Sequence, residues 1–305
     1  MTTTEPVRGS DIPVDLTFVE LIDGVYAPVG IRKPVGAGPF PLIVFASGNG
    51  GGGLTGVRND TQNRSWTAEQ FLAAGYAVAW TRYRAEVDYA YDKIGRLVED
   101  RRAGGLLLNR GPLEYEDVIS IVEYLKQLPY VDGTRVGYVG MSHAGEMALK
   151  IASEYHGFRA MVASEPAAHE FLRLRPGTAG TVNAATGFLN AETMLMHESD
   201  KVRSRITEDV AKARITPIQT PIFVQGRDGD NLQGIFRVCY DLLSELGKDA
   251  EWASYDHDGH GFIYPQRNPA GVYDPDETQV GAVRDAMAFL NKYLRSLKAN
   301  VHARS

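Results

Sequence analysis

The stretch RVGYVGMSHAGEMALK, from Arg135 to Lys150, decides the fold of this chain. Its first half is apolar and rich in valine, which is typical of a buried strand, and the apolar run stops at Gly140. Ser142 follows two residues later, and a helix-forming run begins at Glu146. A serine on a tight strand-to-helix turn, flanked by small residues, is typical of a nucleophile elbow. The helix after the serine would direct its N-terminal amides at an oxyanion formed there.

The elbow pattern departs from G-x-S-x-G at its last position, where Ala144 stands and glycine is delayed to Gly145. Alanine is small enough to preserve the turn. An elbow serine also needs a histidine base on a later loop. His260 lies between two glycines, just after the strand-like run Glu251–Tyr255, and these glycines let the loop pass close to another backbone. We therefore take His260 as the candidate base, and His257 as part of a polar surface turn.

The acid should follow the preceding strand, which the apolar run Pro221–Gly226 predicts. Two carboxylates, Asp228 and Asp230, come directly after it and compete for one role. One of them would accept the imidazole N–H, while the other could cap the helix that begins near Leu232. Serine, aspartate and histidine thus occur in the chain order of an α/β-hydrolase.

A glycine cluster upstream supplies the fourth element of the predicted site. The strand-like run Pro41–Ala46 opens into SGNGGGGL at 47–54. A phosphate-binding loop is the rival interpretation, but the run has no G-x-x-x-x-G-K-[ST] lysine and does not continue into an apolar helix. The cluster therefore indicates an oxyanion loop. We assign its amide to Asn49, and the other oxyanion amide to His143.

The chain resembles the dienelactone hydrolase and prolyl-oligopeptidase-like group of α/β-hydrolases, from about Pro41 to Leu297. Three motifs carry the resemblance: Gly-Met-Ser-His-Ala-Gly at 140–145, His-Gly-Phe at 260–262, and Tyr115–Val118 leading to Leu128–Asp132. It implies a single α/β-hydrolase domain over residues 1–305, with a mostly parallel central sheet flanked by helices.

The resemblance also implies a Ser-Asp-His triad, which maps onto Ser142 and His260. Ungapped spacing from the helix at 232–246 through His260 places the acid at Asp228, whereas anchoring on the strand favours Asp230 as the alternative. The histidine-glycine pair that usually opens the oxyanion loop is Ser47-Gly48 here. True dienelactone hydrolases use a cysteine nucleophile, so a serine at 142 argues against that narrow activity.

Composition excludes several other classes. The 305 residues are 44% apolar and 23% charged, which are ordinary globular values, and the net charge of −6 argues against a nucleic-acid partner. The one cysteine, Cys239, falls on an apolar helical stripe and is expected in the core. No His/Cys cluster has zinc spacing, and triad chemistry needs no cofactor, so we expect neither metal nor cofactor. No apolar run is long enough for a signal peptide or membrane span, which predicts a cytoplasmic enzyme.

Two segments exceed the usual connections between strands and helices, residues 84–111 and 165–215. Loops at the carboxyl ends of strands border the ligand crevice in α/β folds, so both insertions are predicted to form a lid or acyl pocket. Glu165 and His169, where a strand is predicted to end, are candidate substrate-binding residues.

These features together predict a serine carboxylesterase that acts on a small-molecule ester through an acyl-enzyme intermediate. Two alternatives stay open: a prolyl-oligopeptidase-like peptidase or amidase, and an inactive α/β-hydrolase fold that binds a ligand. The chain before Pro41 is too short for the β-propeller that usually precedes related exopeptidases, which favours the esterase. The sequence leaves the oligomeric state open, a homodimer included.

Overall fold

The computed structural model describes residues 2–48, 53–82, 112–174 and 196–295, and its strands form one nine-stranded sheet. The strands are β1 Thr3–Glu5, β2 Val14–Glu20, β3 Tyr26–Arg32, β4 Phe40–Ala46, β5 Ala77–Thr81, β6 Val131–Met141, β7 Ala160–Ser164, β8 Ile222–Arg227 and β9 Ala250–Tyr255. The helices of these residues are α1 Gly53–Asn63, α2 Trp66–Ala73, α3 Pro112–Lys126, α4 His143–Glu154, α5 Ser199–Arg203, α6 Glu208–Ile215, α7 Gln233–Glu245 and α8 Glu277–Leu294.

The sheet is mostly parallel, with an antiparallel N-terminal edge. Its strand order is β1-β2-β3-β5-β4-β6-β7-β8-β9. The first three strands pair antiparallel, and β3 joins the rest through an antiparallel pairing with β5. All further pairings are parallel, from β5–β4 across to β8–β9. The hairpin of β2 and β3 therefore belongs to the antiparallel edge of the sheet.

Both faces of the central parallel strands β4, β5, β7 and β8 are buried, which explains why these strands are apolar without alternation, whereas the edge strand β9 is partly exposed. In β4, Leu42 and Val44 pack in the core formed with α3, α4 and α7. Ile43 and Phe45 face the opposite core, formed with α1, α2 and α8. All four side chains are 0% exposed. The sheet therefore lies between two helical layers, as the α/β prediction required.

Strand ends at one edge of the sheet bring the predicted site residues together. Parallel strands end at the same edge, so the loops after them lie side by side. These loops carry the site candidates that the structure describes: Ser142 after β6, Glu165 and His169 after β7, Asp228 and Asp230 after β8, and His260 after β9.

The two predicted insertions differ in how much the structure describes. Residues 84–111 lie outside the described residues, and so do residues 175–195 of the second insertion. Its later part forms α5 and α6, whose Val202, Ala211 and Ile215 belong to the hydrophobic core. That part of the segment therefore belongs to the packed scaffold, and the lid or acyl pocket stays a prediction for the remainder.

Helix α1, which begins at Gly53, is polar, and only a narrow face of it, including Val57, is buried. The glycine cluster therefore does not continue into an apolar helix, as expected. Helix α8 begins with a capping box between Asp276 and Gln279 and ends at Leu294. Within the described residues, no helix combines the length and apolarity that crossing a membrane requires.

Candidate active site

Ser142 occupies a strained turn between β6 and α4. Its backbone has φ 60° and ψ −118°, a region that residues other than glycine rarely adopt. Such strain persists only where the surrounding structure enforces it, and it concentrates at functional sites. The Ser142 N–H donates to the Ser164 carbonyl at 2.9 Å, and its own carbonyl accepts from Glu146 and Ala167 at 3.1 Å each. The turn is thereby fixed from both sides.

Glycines at 140 and 145 make room for this turn. A Cβ at Gly140 would lie 2.2 Å from the Ala144 carbonyl oxygen, which no side chain could tolerate. A Cβ at Gly145 would lie 2.9 Å from the Cα of Pro166, in the loop after β7. Gly145, the delayed glycine of the motif, thus allows close packing against the loop after β7, while Ala144 fits in the core with no exposed surface.

The start of the glycine cluster passes directly against the serine. A Cβ at Gly48 would lie 2.8 Å from Ser142 Cβ. Asp60 holds the segment from behind: its Oδ2 accepts from the Ser47 hydroxyl at 3.1 Å and from Arg82 at 2.8 Å. Asn49, the predicted oxyanion donor, lies outside the described residues, so its assignment stays a prediction.

His143 provides the other predicted oxyanion amide at the first residue of α4, and its side chain is buried away from solvent. Nε2 lies 2.9 Å from Glu114 Oε2, and Nδ1 lies 3.4 Å from Glu146 Oε2. Burial lowers the imidazole pKa, but hydrogen bonds to Glu114 and Glu146 outweigh it and raise the pKa above its usual value. The side chain is therefore part of a buried ionic cluster.

The sequence analysis missed the two carboxylates of this cluster. Glu146 lies one turn after His143, and this spacing on a buried helix face could have indicated the pair. Its Oε1 also accepts the N–H groups of Glu170 and Phe171 at 2.8 Å each, in the loop after β7. Burial opposes its ionisation, yet the bond to His143, nearby Lys150 and the amides hold the pKa of Glu146 at about 2.

His260 lies in the loop after β9, and its side chain is 42% exposed. The loop passes beside the elbow: Gly261 has φ 80°, and a Cβ there would lie 2.9 Å from Met141 Cε, next to the serine. His260 Nδ1 hydrogen-bonds Asp230 Oδ2 at 3.4 Å, and Glu165 Oε1 lies 3.1 Å from the same nitrogen. Nε2 is thereby left to act as the base. Among the described residues no hydrogen bond joins it to the Ser142 hydroxyl, and such bonds are often long without substrate.

Asp228, the favoured acid of the sequence analysis, does not face His260. It is exposed and accepts from the Ser254 hydroxyl on β9, while its N–H donates to the Tyr255 carbonyl at 3.0 Å. The chain then turns back, with Asp230 N–H donating to the Arg227 carbonyl at 3.0 Å. This turn brings the alternative candidate, Asp230, to the histidine. The ungapped spacing was misleading because it did not account for the turn between β8 and α7.

Asp230 also accepts a backbone N–H just before α7, although no side chain caps that helix as one of the two aspartates was expected to. It is 4% exposed, and its Oδ1 accepts the Leu232 N–H at 2.7 Å just before α7. The hydrogen bonds to His260 and Leu232 and the charge of Arg227 outweigh burial and lower the pKa of Asp230. His257, by contrast, pairs at 3.2 Å with the exposed Asp276, as expected of a surface turn.

Glu165 faces the histidine loop and has no exposed surface, so it does not line an open cleft as a substrate contact would. Its Oε2 accepts the Gly261 N–H at 2.7 Å, and its Oε1 accepts from Arg227 Nε at 3.0 Å. His169 Nδ1 lies 3.0 Å from the Ala167 carbonyl, and its Nε2 has no hydrogen-bond partner among the described residues. A substrate contact by His169 stays a prediction.

Arg227, which the sequence analysis did not single out, joins the two carboxylates. Its guanidinium donates to Glu165 and, at 2.5 Å, to Asp230 Oδ2. Glu165, Asp230 and His260 present ligand atoms within 4.8 Å of one another, as a metal site would. The guanidinium among them supplies the positive charge that a cation would bring, so we interpret the cluster as a hydrogen-bonded acid–base site.

The charges around His260 determine its basicity. Burial lowers the imidazole pKa, but the hydrogen bonds and charges of Asp230 and Glu165 prevail and raise the pKa of His260 to about 9. The imidazole is therefore mostly protonated at neutral pH in the free protein, and its neutral form becomes available as the pH rises.

Comparison with known proteins places these residues in one family region. Residues 113–270 match the family described as "BAAT / Acyl-CoA thioester hydrolase C terminal", a range that includes the elbow, both carboxylates and the histidine. Acyl-coenzyme A thioesterase 5 of Mus musculus is 32% identical over 265 residues, covering 79% of this chain and 53% of that protein. Acyl-coenzyme A thioesterase 1 of Homo sapiens is 32% identical over 238 residues, covering 73% of this chain and 47% of that protein. The chain thus spans about half the length of these relatives.

Solved structures with the same architecture confirm the fold. An acylaminoacyl peptidase from Pyrococcus horikoshii matches with a TM-score of 0.62 at 18% identity, covering 99% of this chain and 43% of that chain. An esterase from Pyrobaculum calidifontis matches with a TM-score of 0.57 at 16% identity, covering 94% and 87% respectively. The predicted α/β-hydrolase fold and the resemblance to prolyl-oligopeptidase-like hydrolases are confirmed.

Proposed function

The chain belongs to the family described as BAAT / acyl-CoA thioester hydrolase C terminal, and from this we propose that it hydrolyses acyl thioesters through a covalent acyl-serine. The observation that carries the proposal is the strained Ser142, set at a helix N-terminus beside the loop of His260. This is the arrangement that acyl transfer by a serine nucleophile needs. The names of the curated relatives point to a thioester in place of the carboxylic ester expected from the sequence.

The basicity of His260 also supports a thioester substrate, whose leaving group is a thiolate. An imidazolium with a pKa of about 9 is a weak proton donor. A thiolate needs little protonation to leave, because the reference pKa of a thiol is about 8.5. Alkoxides and amines are far more basic and depend on proton donation by the histidine. We therefore expect thioesters to react faster than esters of the same acyl group, and amides least.

The proposed reaction proceeds in two balanced halves. His260 Nε2 takes the hydroxyl proton as Ser142 Oγ attacks the carbonyl carbon, while Asp230 holds the ring through Nδ1. The amides of His143 and the glycine cluster, for which we propose Asn49, stabilise the oxyanion, and each such donor is worth about 3 kcal/mol. Collapse expels the thiolate and leaves the acyl-serine, and the imidazolium releases its proton to solvent. The neutral His260 then takes a proton from water as the water attacks the acyl carbon, and the second collapse breaks the bond to Ser142 Oγ, which receives that proton from His260 as the acid departs.

The test compares matched substrates and a nucleophile variant. Purified protein is assayed with a coenzyme A thioester and an unactivated alkyl ester of the same acyl group, and is labelled with a fluorophosphonate. Ser142→Ala should abolish labelling and lower kcat about 10⁴-fold or more, since only the nucleophile is lost. The matched control is Ser244→Ala, which removes an exposed serine of α7.

Several results would contradict the proposal. Turnover that survives Ser142→Ala, or labelling at another serine, removes the nucleophile assignment. Neither labelling nor turnover by the wild-type chain would favour a ligand-binding protein. An ester or peptide substrate that outperforms the thioester would return the function to the esterase or peptidase alternative.

A further inference from the structure

We propose that Glu165 is a positioning residue of this site, a second buried carboxylate that holds the His260–Gly261 segment and Arg227 where Asp230 can orient the imidazole. The inference deepens the proposed function and rests on it. It replaces the substrate-binding role that the sequence suggested for this glutamate, and it brings in a carboxylate from β7 besides the one from β8.

The backbone at Glu165 is strained although the residue is fully buried, which supports a positioning role. It has φ 47°, in a region that few residues other than glycine adopt, and it has no exposed surface. Its N–H donates to the Gln225 carbonyl at 2.7 Å, which ties the end of β7 to β8. Strain at a fully buried ionisable residue is maintained only by a strong local network, and such sites are frequently functional.

Both carboxylate oxygens of Glu165 are used to fix the loop after β9. Oε2 accepts the Gly261 N–H at 2.7 Å, and this bond holds the peptide that follows the histidine. Oε1 accepts from Arg227, whose Nη1 donates to the carbonyls of His257 at 3.1 Å and Asp258 at 2.8 Å. The loop is therefore held on both sides of His260 through one carboxylate.

Asp230 and Glu165 contact the imidazole ring of His260 in different ways. Asp230 forms the hydrogen bond to Nδ1, while Glu165 Oε1 lies 3.1 Å from the same nitrogen as an ion-pair partner. In the part of the chain that the structure describes, the charged groups facing the imidazole are thus these two carboxylates, with Arg227 bridging them. Removing one negative charge should lower the His260 pKa from about 9 toward the ordinary value of about 6.5.

Glu165→Gln removes the charge and keeps an oxygen for the Gly261 amide. We expect the rise of kcat/KM with pH to move at least about one pH unit lower. We also expect kcat at the pH optimum to fall about tenfold, the range of outer contacts that orient a ligand group, with little change in KM. Glu165→Asp, which keeps the charge, should return the pH midpoint toward the wild-type value. Glu170→Gln is the matched control, because this exposed glutamate lies on the same loop and its side chain pairs with Lys150, away from His260.

The pH profile separates this role from its competitors. A substrate contact would raise KM and leave the midpoint unchanged, and a purely structural residue would lower the melting temperature without moving the midpoint. Either result overturns the proposal.

A second measurement does not depend on turnover. The His260 ring protons, assigned by comparison with His260→Gln, are titrated by NMR in the Ser142→Ala protein. We expect a midpoint well above about 6.5 and a lower one after Glu165→Gln. A midpoint at or below the ordinary value in the parent overturns the inference even if Glu165→Gln does not fold. A protein without hydrolytic activity would refute the proposed function and still leave this titration decisive for Glu165.

Discussion

At the residue scale, Asp230 makes two contacts that distinguish it from Asp228. Its Oδ2 hydrogen-bonds the imidazole and its Oδ1 accepts the Leu232 N–H before α7, while Asp228 is exposed and bonded to Ser254. An acid that holds the imidazole tautomer is worth far more to catalysis than a surface hydrogen bond. The two aspartates should therefore differ sharply when each is replaced.

Asp230→Asn should lower kcat by up to ~10⁴-fold, because an amide presents the wrong partner to the imidazole N–H. Asp228→Asn, its matched control two residues away, should change kcat little. Steady-state kinetics with one substrate, together with thermal melting of both variants, checks the prediction. Near-normal activity in Asp230→Asn with collapse in Asp228→Asn would restore the acid favoured by spacing.

The sequence could single out Ser142 and His260 as candidates because their glycine neighbours reveal backbone that must turn or pass closely. It could not choose between the aspartates, because that choice depends on the direction of the chain after β8. Glu165 and Arg227 were assigned another role or none. Their function arises from contacts between loops of different strands, which leave no local pattern.

At the scale of elements, the ionic cluster of His143, Glu114 and Glu146 joins the elbow helix to two neighbours. Glu114 comes from α3, and Glu146 accepts two amides of the loop after β7. The same loop donates the Ala167 N–H to the Ser142 carbonyl. Helix α4 is thereby tied to the segment that carries Glu165, so its N-terminus and the loop should move as one unit.

Glu146→Ala should lower the free energy of unfolding by about 1–3 kcal/mol, because it leaves the Glu170 and Phe171 amides without their acceptor and removes one of the two carboxylates at His143. The pKa of Glu146 is about 2 in the folded protein and 4.5 without these contacts. The stabilisation is therefore complete above pH 4.5 and is lost as the pH falls toward 2.

Urea unfolding of wild type and Glu146→Ala, between pH 7 and the lowest pH at which they fold, measures the difference in their free energies of unfolding. Lys150→Ala, one turn later on the same helix, is the control that removes a partner of Glu146 without removing the acceptor. A difference in stability between Glu146→Ala and wild type that stays constant down to pH 3 would contradict the ionic origin.

At the scale of the whole molecule, the site is assembled from the ends of β4, β6, β7, β8 and β9, so it exists only when the sheet does. The alternation of buried strands and amphipathic helices made this architecture predictable, since periodicity reports which faces are buried. Helix α1 was missed because its exposed face is polar and two of its first four residues are glycines, so it carries little periodic signal. Tertiary contacts with the sheet, more than a local sequence pattern, determine that such a helix forms.

Helix α8 supports the elbow strand from the face opposite α4. A Cβ at Gly137 of β6 would lie 3.1 Å from a Leu290 methyl and 3.3 Å from a Leu294 methyl, so the helix packs directly on that strand.

Leu290→Ala should lower the free energy of unfolding by about 2–5 kcal/mol through lost burial and a residual cavity. The active-site contacts lie beyond the carboxyl end of the strand, so kcat/KM per folded molecule should stay close to wild type. Urea unfolding and kinetics, with the exposed Val280→Ala on the same helix as control, measure both quantities. A variant of unchanged stability, or one that is fully folded and inactive, would show that α8 does not support the elbow strand in this way.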